Sequence, residues 1–171
     1  MRFSLLVLLI SGSLAQPTAA QVMLKDIMAV RVQLPRADCA VFPAAAQLDT
    51  LGLHGAVTKP CRFTPTRHQV EMVEEQLHTG GIRAIRSPLT PPDSANLAYI
   101  QTHLPVYKRQ YFGFYNVQHQ PCLFIQLFES DYLTDWLYHQ LLILDGGPSV
   151  WEVYYNLDTR QFYGLGYHGL G

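Results

Sequence analysis

YKRQYFGFYNV (107–117) sets large aromatic side chains on both sides of an extended chain, with Tyr107, Tyr111 and Tyr115 on one side and Phe112 and Phe114 on the other. Four further runs follow it: PCLFIQLF (121–128), WLYHQLLIL (136–144), SVWEVYYNL (149–157) and QFYGLGY (161–167). All are rich in the aromatic and branched residues that suit a pleated, half-buried surface. The turn signals QHQP (118–121), DGGP (145–148) and LDTR (157–160) separate them by loops too short for parallel crossovers. The expectation is a four- or five-stranded antiparallel meander spanning 107–167.

Working back from that sheet, FTPTRHQVEMVEEQLHTGG (63–81) is the main helix signal. Thr66 with Gln69 forms a capping box, Gly80 and Gly81 supply the stop, and the helix is predicted over 67–79. Thr64 followed by Pro65 is an equally fair start. Val70, Val73 and Leu77 share one face, which must lie on the sheet, and His68, Glu71, Glu75 and His78 share the opposite one. The fold class is therefore α+β, one main helix packed on the meander. Between the two, Asp93 or Ser94 caps a short helical turn that buries Leu97, Ile100 and Leu104.

The chain begins differently. Met1-Arg2, the apolar run LLVLLI (5–10) and the small residues after it have the grammar of a signal peptide over 1–20, cleaved after Ala15 or Ala20. The run is too short to span a bilayer, so no transmembrane segment is expected, and the mature protein is read as soluble in the periplasm or outside the cell. Residues 21–62 read as an irregular arm with one strand, in which Met28, Val30, Val32 and Leu34 alternate with polar or small residues until Pro35. Residues 63–171 form the helix-plus-sheet domain. Export makes Cys39 and Cys61 a candidate disulfide worth about 3 kcal/mol, the alternative being three unpaired thiols with Cys122.

The pattern FTPT (63–66), YKRQYFG (107–113), DGG (145–147) and YNLDT (155–159) resembles that of a group of small exported bacterial proteins whose activity is uncharacterised. The tail, Gly166 to Gly171, departs from the Asn-Gly-x-Ala ending of that group. The resemblance implies a family and no activity. A helix ahead of an antiparallel meander is also similar in architecture to cystatin-like folds.

Chemistry is harder to find. The His68, Glu71, Glu75, His78 stripe echoes metal-binding helices, but it points away from the apolar face and reads as a solvated surface. Ser149 lacks a nucleophile elbow, and Cys122 with His119 lacks a third, orienting group. Neither a phosphate loop nor a Cys-x-x-Cys nor a His-Glu-x-x-His motif occurs, so no cofactor is expected. A net charge of -1 argues against nucleic acid. The expectation is a non-catalytic binding or inhibitory module, with a cryptic hydrolase or metal-binding protein as the alternative. One helix is too narrow to cover the sheet, so an aromatic surface of Tyr107, Lys108, Arg109, Tyr111 and Trp151 is expected to meet a protein or saccharide of the cell envelope, or a second copy of the chain.

Overall fold

Strand β4 (Lys108–Tyr115) begins an antiparallel run that continues through β5 (Pro121–Phe128), β6 (Val150–Asn156) and β7 (Gln161–Tyr167), the meander expected from the aromatic and branched runs. The computed structural model describes residues 28–48, 61–85, 94–129, 135–143 and 146–167, so the signal-peptide reading of 1–20 lies outside the described residues. Helix α1 (Arg67–His78) starts where its capping box requires: Thr66 Oγ1 accepts from Gln69 N–H at 3.2 Å, and Gln69 Oε1 accepts from Thr66 N–H at 2.8 Å. It stops at Thr79 because Gly80 turns left-handed, φ 88°, a conformation that costs glycine little. Helix α2 (Ser94–His103) and the 3-10 turn after it bury Ile100 and Leu104, as expected. None of these helices is long and apolar enough to cross a membrane.

Three expectations need correction. First, the sheet is mixed. The arm holds two strands, β1 (Val30–Leu34) and β2 (Ala37–Val41), which form a hairpin about Pro35 and Arg36. The hairpin extends the sheet, because β2 pairs parallel to β4 from Asp38↔Lys108 to Val41↔Tyr111. A two-residue strand, β3 (Arg62–Phe63), takes the rest of that edge antiparallel, giving the order β1-β2-β4-β5-β6-β7 with β3 beside β4. Alternation marks a strand but not its direction. The long helical connection between β2 and β4 is what permits parallel pairing.

Second, the expected strand at 136–144 is not one over its described residues, 136–143. Residues 135–143 run as turns and irregular chain over the second face of the sheet, with Trp136 edge-on to Phe128 and with Leu141 and Ile143 against the apolar layer of that face. Side-chain amides replace a ladder there. Gln110 Nε2 donates to the carbonyls of Trp136 and His139 at 2.7 Å, Gln110 Oε1 accepts from Leu141 N–H at 3.0 Å, and Gln126 Nε2 donates to Leu141 O at 2.7 Å. A strap whose polar backbone is satisfied this way can lie on a sheet without joining it.

Third, the expected recognition surface is core. Tyr107 is 1% exposed and Arg109, Tyr111 and Trp151 are 0% exposed, leaving only Lys108 partly accessible, its Nζ 5.5 Å from the centre of the Trp136 ring. The cause is double cover. Val70, Val73 and Leu77 of α1, with Ile82 and Ile100, close the face carrying Tyr107, Tyr111 and Trp151. Phe42 and Trp136, with Phe112, Phe124 and Tyr154, form the layer on the other.

Candidate functional site

The apolar stripe of α1 contains one charged residue. Glu74 follows Val73 and lies one turn from Val70, so the helix carries its carboxylate into the layer between helix and sheet, where its side chain is 5% exposed. Arg109 meets it from β4. Lying between Tyr107 and Tyr111 and sharing their parity, it must face the same way. Sequence reading missed this pair. The signal was present as one acid within a helical apolar stripe and one base within an apolar strand face.

Around Glu74 the polar atoms converge. Oε1 accepts a 2.5 Å hydrogen bond from Tyr111 Oη, lies 2.9 Å from Arg109 Nε in an ionic contact, and is 3.8 Å from Cys39 Sγ. The remaining Arg109 nitrogens donate to the carbonyls of Tyr107 and Leu104. A buried charge is tolerated when it is both paired and hydrogen-bonded, and this guanidinium meets both conditions. Burial, and then the Glu74 charge, push the Tyr111 hydroxyl and the Cys39 thiol well above their ordinary values, so both stay protonated as donors.

The other carboxylate oxygen, Oε2, is buried beside His78. It lies 3.8 Å from His78 Nε2, and neither atom makes a hydrogen bond although both are buried. Burial lowers the His78 pKa and outweighs the opposing pull of Glu74, while the Arg109 and Arg36 charges lower it further. Beyond this pair opens a cleft of about 470 Å³. Its one wall is the β1–β2 turn, Leu34 to Ala37, and its other is the Arg67, Glu71, Glu74, Glu75, His78 side of α1.

The remaining sequence candidates are dispersed. His68, Glu71 and Glu75 are exposed, and Glu71 pairs with Arg67 at 2.7 Å. Among the described residues no three potential metal ligands converge. Ser149 Oγ donates to Glu129 Oε2 at 3.1 Å, an oxygen that also accepts from Tyr99 Oη at 3.0 Å. Cys122 is buried, while His119 is exposed in the turn before it. The Cys39–Cys61 disulfide is not formed, and the reason is topological. Cys39 stands opposite Arg109 whereas the Cys61 carbonyl accepts from Tyr115 N–H, so strand β4 holds the two apart by roughly 20 Å, against the ~7 Å limit for bridging. No protein-family model, curated protein or solved structure matches the chain.

Proposed function

We propose that this chain is an exported, non-catalytic binding module whose recognition site is the cleft between α1 and the β1–β2 turn. One observation carries the reading: Glu74, whose carboxylate is held by Arg109 and Tyr111 and keeps its second oxygen buried beside His78 without a hydrogen bond, lines a cleft of about 470 Å³. Natural proteins rarely leave a buried acceptor unmatched unless something else meets it, and clefts of ~300–1,000 Å³ are the usual size for small-molecule sites. Cys39, the thiol nearest the site, is held protonated, which supports binding over nucleophilic chemistry. Export rests on the signal-peptide grammar of 1–20.

The reading is tested by following backbone amide shifts of the mature chain during titration with a panel of small saccharides, amino acids, alkylamines and carboxylates at millimolar concentration. Shifts confined to residues 34–37 and 67–78 are expected for at least one class. A panel that leaves those amides unmoved, or that moves only residues elsewhere, removes the proposal. Intact mass of the protein from its native host, expected to begin at Gln16 or Gln21, tests export separately.

A further inference from the structure

We propose that two copies of this chain join through strand β1, edge to edge and antiparallel, about a two-fold axis at Val32. The pairing does not depend on the cleft holding a ligand, so either can fail alone. Phe42 N–H donates to Tyr111 O, so positions 38, 40 and 42 turn their backbone toward β4, and the odd positions of β2 turn theirs toward β1. Through the pairs Val30↔Val41, Val32↔Cys39 and Leu34↔Ala37, the even positions of β1 are spent on β2. Its odd positions face away from the sheet. Of these, Ala29 gives its N–H to Leu137 O at 2.7 Å, and Pro35 has none to give. Arg31 and Gln33 remain, both exposed, and among the described residues no strand pairs with that side of β1.

Symmetry sets what fits there. Arg31 and Gln33 flank Val32, so a second β1 turned antiparallel about Val32 brings each Arg31 opposite Gln33 of the other copy, and each such pair exchanges both of its backbone hydrogen bonds. Moving the axis spoils the match. An axis at Gln33 sets Arg31 against Pro35, which lacks the N–H. An axis at Arg31 sets like charges face to face and calls on the Ala29 N–H already given to Leu137. The charges suit the Val32 register as well. Asp38 takes Arg31 through both oxygens, at 2.8 and 2.6 Å, which draws the guanidinium back toward β2 and leaves neutral Gln33 to meet it from the other copy. On the α1 side of the seam, Val30, 65% exposed in the single chain, stands opposite half-buried Leu34, and Val32 stands opposite its own copy, so apolar side chains close over the new pairs.

The opposite edge of the sheet is built to refuse such a partner. Beside β7 the register shifts between Glu152 and Tyr154, and Gly164 is left-handed at φ 60°, the kind of bulge that twists an edge out of pairing. Strand β1 keeps an unbroken register from Val30 to Leu34 and holds no Lys, Pro or Gly.

Sedimentation velocity of the mature full chain from about 10 µM to about 1 mM is expected to show monomer passing to dimer as concentration rises. Gln33→Pro removes one outward donor and leaves the β2 ladder whole, so it should keep a folded amide spectrum and weaken association at least about tenfold. A second test does not depend on that variant folding. In a Cys61→Ser background, Val30→Cys combined with Leu34→Cys sets thiols across the seam with Cα atoms about 4.5 Å apart, within bridging range. Within one strand the same two positions are about 13 Å apart and cannot bridge. Mild oxidation with glutathione disulfide should link the double variant into covalent dimers and leave Val30→Cys alone unlinked. A wild type that stays monomeric at about 1 mM overturns the proposal. So does a folded Gln33→Pro that associates as tightly as wild type, a double variant that does not link, or a single variant that links as readily as the double.

Discussion

Glu74 and Arg109 show what a single residue costs and returns in this core. Separately each is a charge in an apolar layer; together, with Tyr111 and the carbonyls of Leu104 and Tyr107, they close a network. Tyr111→Phe keeps the ring and removes one donor to a charged acceptor, so a loss of about 2 kcal/mol in urea denaturation is expected; a loss below ~0.5 kcal/mol would show that the hydroxyl contributes nothing net. The pair was half legible. Strand parity places Arg109 among Tyr107 and Tyr111, but its acid lies on an element far away in the chain, and nothing local joins them.

A second buried acid makes a prediction about pH. Burial pushes the Glu152 carboxyl from its ordinary 4.5 up to about 7. Its cross-strand neighbour Gln126 has an Oε1 that accepts no hydrogen bond, so the protonated acid has an acceptor on the adjoining strand. The folded state thus holds a proton that the unfolded state has lost between pH 4.5 and about 7. Stability from this group is full below the unfolded value and disappears as pH rises through the folded one, a change of up to about 3 kcal/mol. Glu152→Gln mimics the protonated acid. The difference between variant and wild-type stability should grow from near zero at about pH 4 to its maximum above about pH 8; a difference that stays constant would exclude the mechanism.

At the scale of elements, what is encoded locally was legible and what is encoded by a distant partner was not. The capping box of α1 lies within four residues, 66–69, and each strand of the meander declares itself through its own aromatic and branched side chains. Residues 136–143 have a strand's composition, yet their carbonyls are answered by Gln110 and Gln126 from another part of the chain. Gln110→Leu leaves the Trp136 and His139 carbonyls and the Leu141 amide without that partner. Hydrogen exchange should therefore accelerate at Leu141 by more than about tenfold while the β5–β6 amides stay protected. Equal acceleration in both would mean that strap and sheet open as one unit.

For the whole molecule, the β4–β5 and β6–β7 neighbours follow from short loops and were foreseen, whereas the β5–β6 pairing, across residues 129–149, and the β2–β4 pairing, across both helices, were not. The same pairing governs the thiols. Cys39 and Cys122 are enclosed and Cys61 is exposed, so a maleimide should add once to the native protein and three times to the unfolded one. Two rapid native adducts would place a second thiol at the surface.

Strand β2 also sets an order of events. A chain released from its N-terminus presents the β1–β2 hairpin early, but the edge on which the hairpin docks does not exist until Lys108 to Tyr111 have followed. Pairs so distant in sequence bear the entropy of closing a long loop before they gain any contact. A fragment ending before Tyr107 should accordingly show no sheet signal by circular dichroism, and a folded fragment would contradict this. Assembly must wait for residues 108–111, so the hairpin stays undocked until about two-thirds of the chain has emerged.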